Sequence, residues 1–220
     1  MFYHAGKDCN LALLRAWRDE NLHVRYLIVF RLSTKTFQAH PIPFMEAQAQ
    51  SLGLKLVFVD FSDDVDDWMD AYVKGIVRLR NEYGIQVIAT GDINLVGTMQ
   101  RNWMERACER AGIKCYLPLW DIDKEKTLNI MLEEGFDIIF SCVKAPFFDA
   151  SWINKKLDHK ALNEMQAIIC RGLTEEQIEA GIKPLDLCGE RGGKYSLTFY
   201  FITLNMPHLH TFPDCIQLTS

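Results

Sequence analysis

The sequence has no C-x-x-C pair, and its seven cysteines are scattered over 220 residues. A four-thiolate zinc site of ordinary spacing is therefore not expected, and dispersed cysteines in odd number are typical of reduced thiols inside the cell. No apolar run reaches the roughly 18 residues that a membrane-spanning helix needs. The first residues also lack the basic start and apolar run of a secretory signal. These absences predict a soluble, cytoplasmic protein without a membrane partner.

Positive charge is also scarce. Lys and Arg number 24 against 29 Asp and Glu, which gives a formal net charge of −5. General nucleic-acid binding usually requires a concentrated basic patch, so this class of function is not expected. A negative net charge still allows a local basic pocket that binds a nucleotide. The 49% of hydrophobic residues are enough for a packed globular core.

The chain does contain a regular alternation of short apolar runs and helical patterns. Continuous apolar strands that alternate with helices are typical of a parallel sheet covered on both faces. The fold class is therefore predicted to be α/β, with a doubly wound parallel sheet. The predicted strands are 23–30, 54–59, 85–90, 114–117 and 136–143. The predicted helices are 8–20, 44–52, 66–82, 98–111 and 124–134, the last three ending at Gly84, Gly112 and Gly135.

The pattern changes near residue 145. Thr174 and Gln177 fit a capping box that opens a short helix. A glycine-containing loop follows at 186–194, and 195–204 is one long strand-like run. We therefore predict two parts, an α/β domain at 1–145 and a smaller C-terminal region at 146–220.

The residues that follow the first short strand, 4–10 (HAGKDCN), can form an anion site. Ala5 and Gly6 are small enough to let backbone N–H groups approach an anion, and a helix N-terminus favours phosphate. Lys7 adds a positive charge, and Asp8 can either bind magnesium or cap the helix. An ordinary helix N-cap remains the alternative. A Walker loop is excluded because the G-x-x-x-x-G-K spacing is absent.

Two further segments accompany this loop. The first comprises 89–93 (ATGDI), 100–105 (QRNWME) and 111–120 (AGIKCYLPLW), and the second is 188–195 (CGERGGKY). Together with the loop, they resemble the diphthine–ammonia ligase family of PP-loop ATP pyrophosphatases. The resemblance covers nearly the whole chain in matching order and spacing.

The resemblance implies a Rossmann-like sheet of the HUP type, with a PP-loop ATP-binding domain at 1–145 and a C-terminal substrate-binding region at 146–220. It implies an ATP- and Mg²⁺-dependent ligase that adenylates a carboxylate, releases pyrophosphate and lets ammonia displace AMP to leave an amide. Diphthine on an elongation factor is one candidate for the carboxylate substrate. The implied ATP-binding residues are His4, Ala5, Gly6, Lys7, Asp8, Cys9, Gly91 and Asp92. The implied catalytic residues are Lys7, Asp8 and Glu190, with Asp8 also as the metal ligand. The implied substrate-binding residues are Arg101, Glu105, Gly189, Glu190, Gly192 and Gly193.

The chain departs from the family loop Ser-Gly-Gly-x-Asp-Ser at three positions. His4, Ala5 and Cys9 replace the first serine, the first glycine and the last serine. Lys194 stands where the second signature usually carries an acid. These changes keep two alternatives open: a PP-loop enzyme that acts on another small molecule or an RNA, and a catalytically decayed nucleotide-binding module.

Several candidate residues have plain structural interpretations. Arg101 and Glu105 have the i, i+4 spacing of a surface ion pair. Asp92 fits a helix cap at the end of a strand. Cys9 fits either a thiol of lowered pKa at a helix N-terminus or a small loop residue. The acidic run at 63–67 is best explained as the solvated start of a helix.

Overall fold

The structure is a computed structural model, and it describes residues 1–34, 41–95, 99–143, 145–182, 184, 185, 187 and 198–204. Of residues 141, 142 and 198–204 it describes the backbone. The helices are α1 (Lys7–Arg18), α2 (Ile42–Ser51), α3 (Trp68–Tyr83), α4 (Trp103–Arg110), α5 (Lys124–Glu133), α6 (His159–Arg171) and α7 (Glu175–Glu179). The strands are β1 (Tyr26–Leu32), β2 (Lys55–Phe61), β3 (Val87–Ala89), β4 (Lys114–Tyr116), β5 (Phe136–Cys142) and β6 (Thr198–Leu204).

The N-terminal segment, residues 1–3, lies between β1 and β3. Tyr3 N donates to Ile28 O, and Phe2 N donates to Ala89 O, both at 2.8 Å. Because β1 pairs with β2 and β3 pairs with β4, both in parallel, the order across the sheet is β2, β1, N-terminal segment, β3, β4. In chain order this is 3-2-1-4-5, the arrangement of a Rossmann-like doubly wound sheet.

Both faces of this sheet are covered. Leu27 and Val29 of β1 belong to one buried cluster, which also contains α1 residues such as Leu11. Ile28 and Phe30 belong to a second cluster, which contains residues of α3 and α4. Alternate residues of one strand therefore pack on opposite layers, as period-2 geometry requires. The predicted α/β class and doubly wound parallel sheet are confirmed.

The fifth predicted strand is not part of the parallel sheet. β5 pairs antiparallel with β6, from Phe136 opposite Leu204 to Cys142 opposite Thr198. On its other edge, Phe140 N donates to Lys155 O at 3.1 Å, and Phe140 O accepts from Asn154 N at 2.9 Å. Both edges of β5 are thereby occupied. The expectation of a fifth parallel strand was wrong because a continuous apolar run fits either strand direction.

Two helices differ from the prediction. The helix expected from residue 98 begins at Trp103, because the side chain of Asn102 caps it by accepting from Glu105 N. The sequence interpretation missed α6, which is capped by Asp158 and buries Ala161, Leu162 and Met165.

The capping box predicted at Thr174 and Gln177 is confirmed, with both reciprocal hydrogen bonds formed. The division of the chain at residue 145 stays a prediction. None of the helices in the described part of the chain is both long and apolar enough to cross a membrane.

Candidate functional site

The loop after the N-terminal segment turns the chain directly into α1. Ala5 is buried and has φ +62, a left-handed backbone conformation. Gly6 is the N-cap residue of α1 and provides no side-chain cap. Asp8 lies inside the first turn of the helix, so the alternative in which Asp8 caps the helix is wrong. The first N–H groups of α1 thus have no side-chain cap.

Lys7 and Asp8 form a closely packed ion pair. Lys7 Nζ lies 2.5 Å from Asp8 Oδ2, and the Lys7 side chain is only 4% exposed. The second oxygen, Asp8 Oδ1, is buried and has no hydrogen-bond partner among the described residues. A buried carboxylate oxygen without a donor is costly, and most such atoms in proteins are satisfied. Asp8 Oδ1 is therefore suited to receive a cation.

The loop that follows β3 packs directly onto the first turn of α1. A Cβ added to Gly91 would lie 2.6 Å from the Asp8 carbonyl carbon and 2.7 Å from Cys9 N. Both contacts are with backbone atoms, which cannot move aside as a flexible side chain can. Only glycine therefore fits at this position, because the backbones of the two loops touch.

This contact lies where the two halves of the sheet diverge. The N-terminal segment leads into α1, whose residues Leu11 and Leu14 belong to one buried cluster. The next strand in space, β3, leads into α4, whose residues Met104 and Ala107 belong to the other. Two adjacent strands with helices on opposite faces create a crevice outside their carboxyl ends. Open α/β sheets bind ligands at this topological switch point.

Asp92 is held by Asn102. Asn102 Nδ2 donates to Asp92 Oδ2 at 2.6 Å, while its Oδ1 accepts from Glu105 N at 2.9 Å. The expectation that Asp92 caps a helix is therefore wrong, since Asn102 is the cap of α4. Sequence reasoning did not single out Asn102, although an Asn before a helical run is a recognisable N-cap signal.

Burial sets the protonation of two of the three substituted loop positions, His4 and Cys9. Burial lowers the pKa of the His4 imidazole to about 4, so this side chain is neutral at pH 7. Burial also raises the pKa of the Cys9 thiol to about 12, and the nearby carboxylates of Asp8 and Asp92 act in the same direction. The alternative of a thiol with lowered pKa is therefore wrong, and Cys9 is a neutral loop residue.

Arg101 lies two residues before α4 and pairs with two acids of that helix, Glu105 and Glu109. Arg101 Nη2 lies 3.4 Å from Glu105 Oε2 and 3.1 Å from Glu109 Oε2. The Arg101 side chain is 53% exposed, as expected for a solvated surface ion network. The role of Arg101 and Glu105 in substrate binding stays a prediction.

The acidic run is the start of a helix, as the sequence indicates. Asp67 caps α3 by accepting from Asp70 N at 3.0 Å.

No group of three or more metal-ligating side chains occurs in the described residues. The second signature segment, with Gly189, Glu190, Gly192, Gly193 and Lys194, lies outside the described residues.

Residues 1–115 match the family described as the diphthamide synthase N-terminal domain. Over 88 residues the chain is 35% identical to a protein of Schizosaccharomyces pombe (strain 972) named diphthine–ammonia ligase. That match covers 40% of this chain and only 13% of the relative, so the chain corresponds to a small part of the relative's length.

A solved structure from Methanocaldococcus jannaschii, described as a predicted subunit of tRNA methyltransferase, is 16% identical with a TM-score of 0.46. The superposition covers 93% of this chain and 96% of the other. At that TM-score the likeness supports no argument about fold or function.

Proposed function

Because the chain belongs to the diphthamide synthase N-terminal domain family, we propose that it is an ATP-dependent, AMP-forming amide ligase whose nucleotide lies on the loop at the start of α1. The observation that carries this proposal is the buried, unpartnered Oδ1 of Asp8 beside uncapped helix amides at the switch point of the sheet. A cation and an anion together would satisfy both groups.

The phosphates of ATP would accept hydrogen bonds from the first N–H groups of α1. The helix dipole adds a favourable field at this end of the helix. Lys7 is the first residue of α1, and its ammonium pairs with Asp8 in the same turn. The glycine contact at Gly91 brings the β3 loop against the same turn. His4, Ala5, Cys9 and Asp92 would contribute to the walls of this nucleotide site.

Mg²⁺ fits the same residues. Magnesium prefers hard oxygen ligands, usually one or two carboxylates together with substrate phosphates. Asp8 would supply Oδ1 while its Oδ2 stays with Lys7. When bound there, the ion would neutralise phosphate charge.

The reaction would proceed in two displacements. An oxygen of the carboxylate substrate attacks the α-phosphorus of ATP, and pyrophosphate leaves, so that an acyl-adenylate forms. Ammonia then attacks the acyl carbon, AMP leaves, and the nitrogen loses a proton to give the amide. The Lys7 ammonium and the α1 amides would stabilise the negative charge that develops on the phosphates.

The substrate side of the site is proposed to be formed by residues of the two further family segments. Arg101, Glu105, Gly189, Glu190, Gly192 and Gly193 are proposed to contact the carboxylate substrate, and the Glu190 carboxylate is proposed to hold the nitrogen nucleophile and accept the proton that it loses. Arg101 would have to leave its ion network to do so. Diphthine on an elongation factor is the proposed substrate because the yeast relative is named diphthine–ammonia ligase.

A nucleotide-binding module without ligase activity is the second candidate. It is favoured by Cys9, which places a neutral, half-buried thiol where the family loop has a serine hydroxyl. Loss of hydroxyl donors weakens the contacts to phosphate that matter most when charge develops.

Calorimetric titration with a non-hydrolysable ATP analogue, with and without Mg²⁺, tests the nucleotide site. We expect saturable, Mg²⁺-dependent binding that Asp8→Asn weakens by about tenfold or more, since a charged oxygen ligand is lost. Asp66→Asn is the matched control, because Asp66 is an exposed acid of the segment between β2 and α3. Equal affinity of wild type and Asp8→Asn would contradict the proposed site.

A second assay distinguishes the ligase from the binding module. It measures release of AMP from ATP, which a ligase should show only when ammonia and a carboxylate are present.

A further inference from the structure

Ala5 occupies a backbone conformation that favours glycine. Its φ is +62, and its side chain is fully buried. The loop that this chain resembles has glycine at this position, and glycine adopts a positive φ without steric cost. Alanine is strained at a positive φ because of its Cβ, and it has no polar side chain that could hydrogen-bond to its own backbone. Some other contact must therefore keep the loop in this conformation.

Asn10 supplies that contact from one turn into α1. Its Nδ2 donates to Gly6 O at 2.9 Å and to Ala5 O at 3.3 Å. One buried amide group thus holds the two consecutive carbonyls that flank the start of the helix. Because each carbonyl is fixed, the peptide plane between Ala5 and Gly6 cannot rotate freely.

Asn10 is itself oriented by a second buried contact. The Tyr3 hydroxyl lies 3.0 Å from Asn10 Oδ1 and 2.6 Å from Gln48 Oε1. Tyr3 comes from the N-terminal segment, and Gln48 comes from α2, so three parts of the fold meet at one point. Burial holds the pKa of Tyr3 above its ordinary value, so the phenol stays protonated and able to donate. Tyr3, Asn10 and Gln48 are all buried, which makes loss of any bond costly.

We propose that this Tyr3–Asn10–Gln48 network stabilises the positive φ at position 5, a conformation that the glycine of the family loop would adopt without steric cost. Asn10 is a positioning residue that holds Ala5 in the left-handed conformation, so that the first amides of α1 keep the direction needed for phosphate. The effect on affinity rests on the proposed nucleotide site. The coupling between positions 5 and 10 is a property of the folded loop and can be measured without a ligand.

A double-mutant cycle tests the coupling. Asn10→Ala and Ala5→Gly are made singly and together, and the dissociation constant of the ATP analogue with Mg²⁺ is measured for each. We expect Asn10→Ala alone to weaken binding by about tenfold and to have an effect of no more than about threefold in the Ala5→Gly background. Equal effects in both backgrounds would overturn the proposal, because Asn10 would then act independently of Ala5.

Unfolding in urea and a second variant test the coupling independently of nucleotide binding. The same cycle in urea should show that Asn10→Ala raises the unfolding equilibrium constant less in the Ala5→Gly background, whether or not the protein binds nucleotide. Thr127→Val is the control for general destabilisation, since Thr127 of α5 is buried and donates to O of Asp123, the N-cap residue of that helix. If Asn10→Ala does not fold, Tyr3→Phe replaces it and should show a smaller effect with the same dependence on Ala5. Absence of coupling in urea overturns the positioning role, while failure to bind nucleotide with coupling intact overturns only the proposed function.

Discussion

Burial, more than residue type, sets the behaviour of single side chains around the α1 loop. His4 packs edge-on against the Phe2 ring, with the ring centroids 4.6 Å apart. Cys9, five positions later, is a thiol that stays protonated at any ordinary pH, because its pKa lies at about 12. Neither residue carries charge at pH 7, so the charge of the loop comes from Lys7, Asp8 and the helix dipole.

His4 should make the stability of the fold sensitive to acid. Its pKa in the folded state is about 4, below the ordinary unfolded value of about 6.5. Between these values the unfolded chain binds a proton that the folded chain does not, so stability is complete above about pH 6.5 and falls as pH drops towards 4. We expect wild type to lose about 2 kcal/mol more than His4→Gln between about pH 7 and about pH 4.5. Urea unfolding at both pH values measures this. Equal losses would show that His4 does not titrate differently on folding.

At the scale of elements, the position of α1 depends on direct contact with the loop after β3. The Gly91 backbone touches the backbone of Asp8 and Cys9, and no side chain separates them. Asn102 then holds Asp92, one residue further along the loop, onto the start of α4. The two helices on opposite faces of the sheet are therefore linked through one short loop.

Gly91→Ala should push the loop after β3 away from the first turn of α1. The added Cβ would lie within 2.8 Å of three backbone atoms of Asp8 and Cys9, and overpacking of this kind costs about 1–3 kcal/mol or more. Gly53→Ala is the matched control, because Gly53 has φ +64 but nothing within 4 Å of the added Cβ. The control should cost only about 1 kcal/mol from its backbone conformation. Urea unfolding compares the two, and a Gly91→Ala variant as stable as Gly53→Ala would disprove the close contact.

At the scale of the whole molecule, the N-terminal segment is the centre of the parallel sheet. It hydrogen-bonds to β1 through Ile28 and to β3 through Ala89. β2, in contrast, pairs with β1 alone among the described strands. Stability should therefore be highest at the segment and lower at the outer edge of β2.

Hydrogen exchange should reveal this gradient. We expect the amides of Tyr3 and Ile28 to exchange only through global unfolding, because both are bonded inside the sheet. The outward-facing amides of β2 should exchange about 100-fold faster or more. Exchange measured by NMR under native conditions tests this. Rapid exchange at Tyr3 would mean that the segment is not the central strand.

Local signals in the sequence determined most of the elements. Glycine ends α3, and Asp67 begins it, because a left-handed C-cap and a carboxylate N-cap each act within a few residues. The reciprocal bonds of Thr174 and Gln177 are equally local. The alternation of apolar runs with helices was sufficient for the α/β class.

Only the tertiary structure decided the contacts that join distant residues. The direction of β5 depends on its pairing with β6, and the Tyr3 hydroxyl that contacts Asn10 also contacts Gln48, 45 positions from Tyr3 along the chain. The burial that keeps Cys9 protonated depends on residues brought together by folding. A sequence pattern reports which residues can form an element, whereas burial, strand direction and a buried hydrogen-bond network depend on which elements pack together.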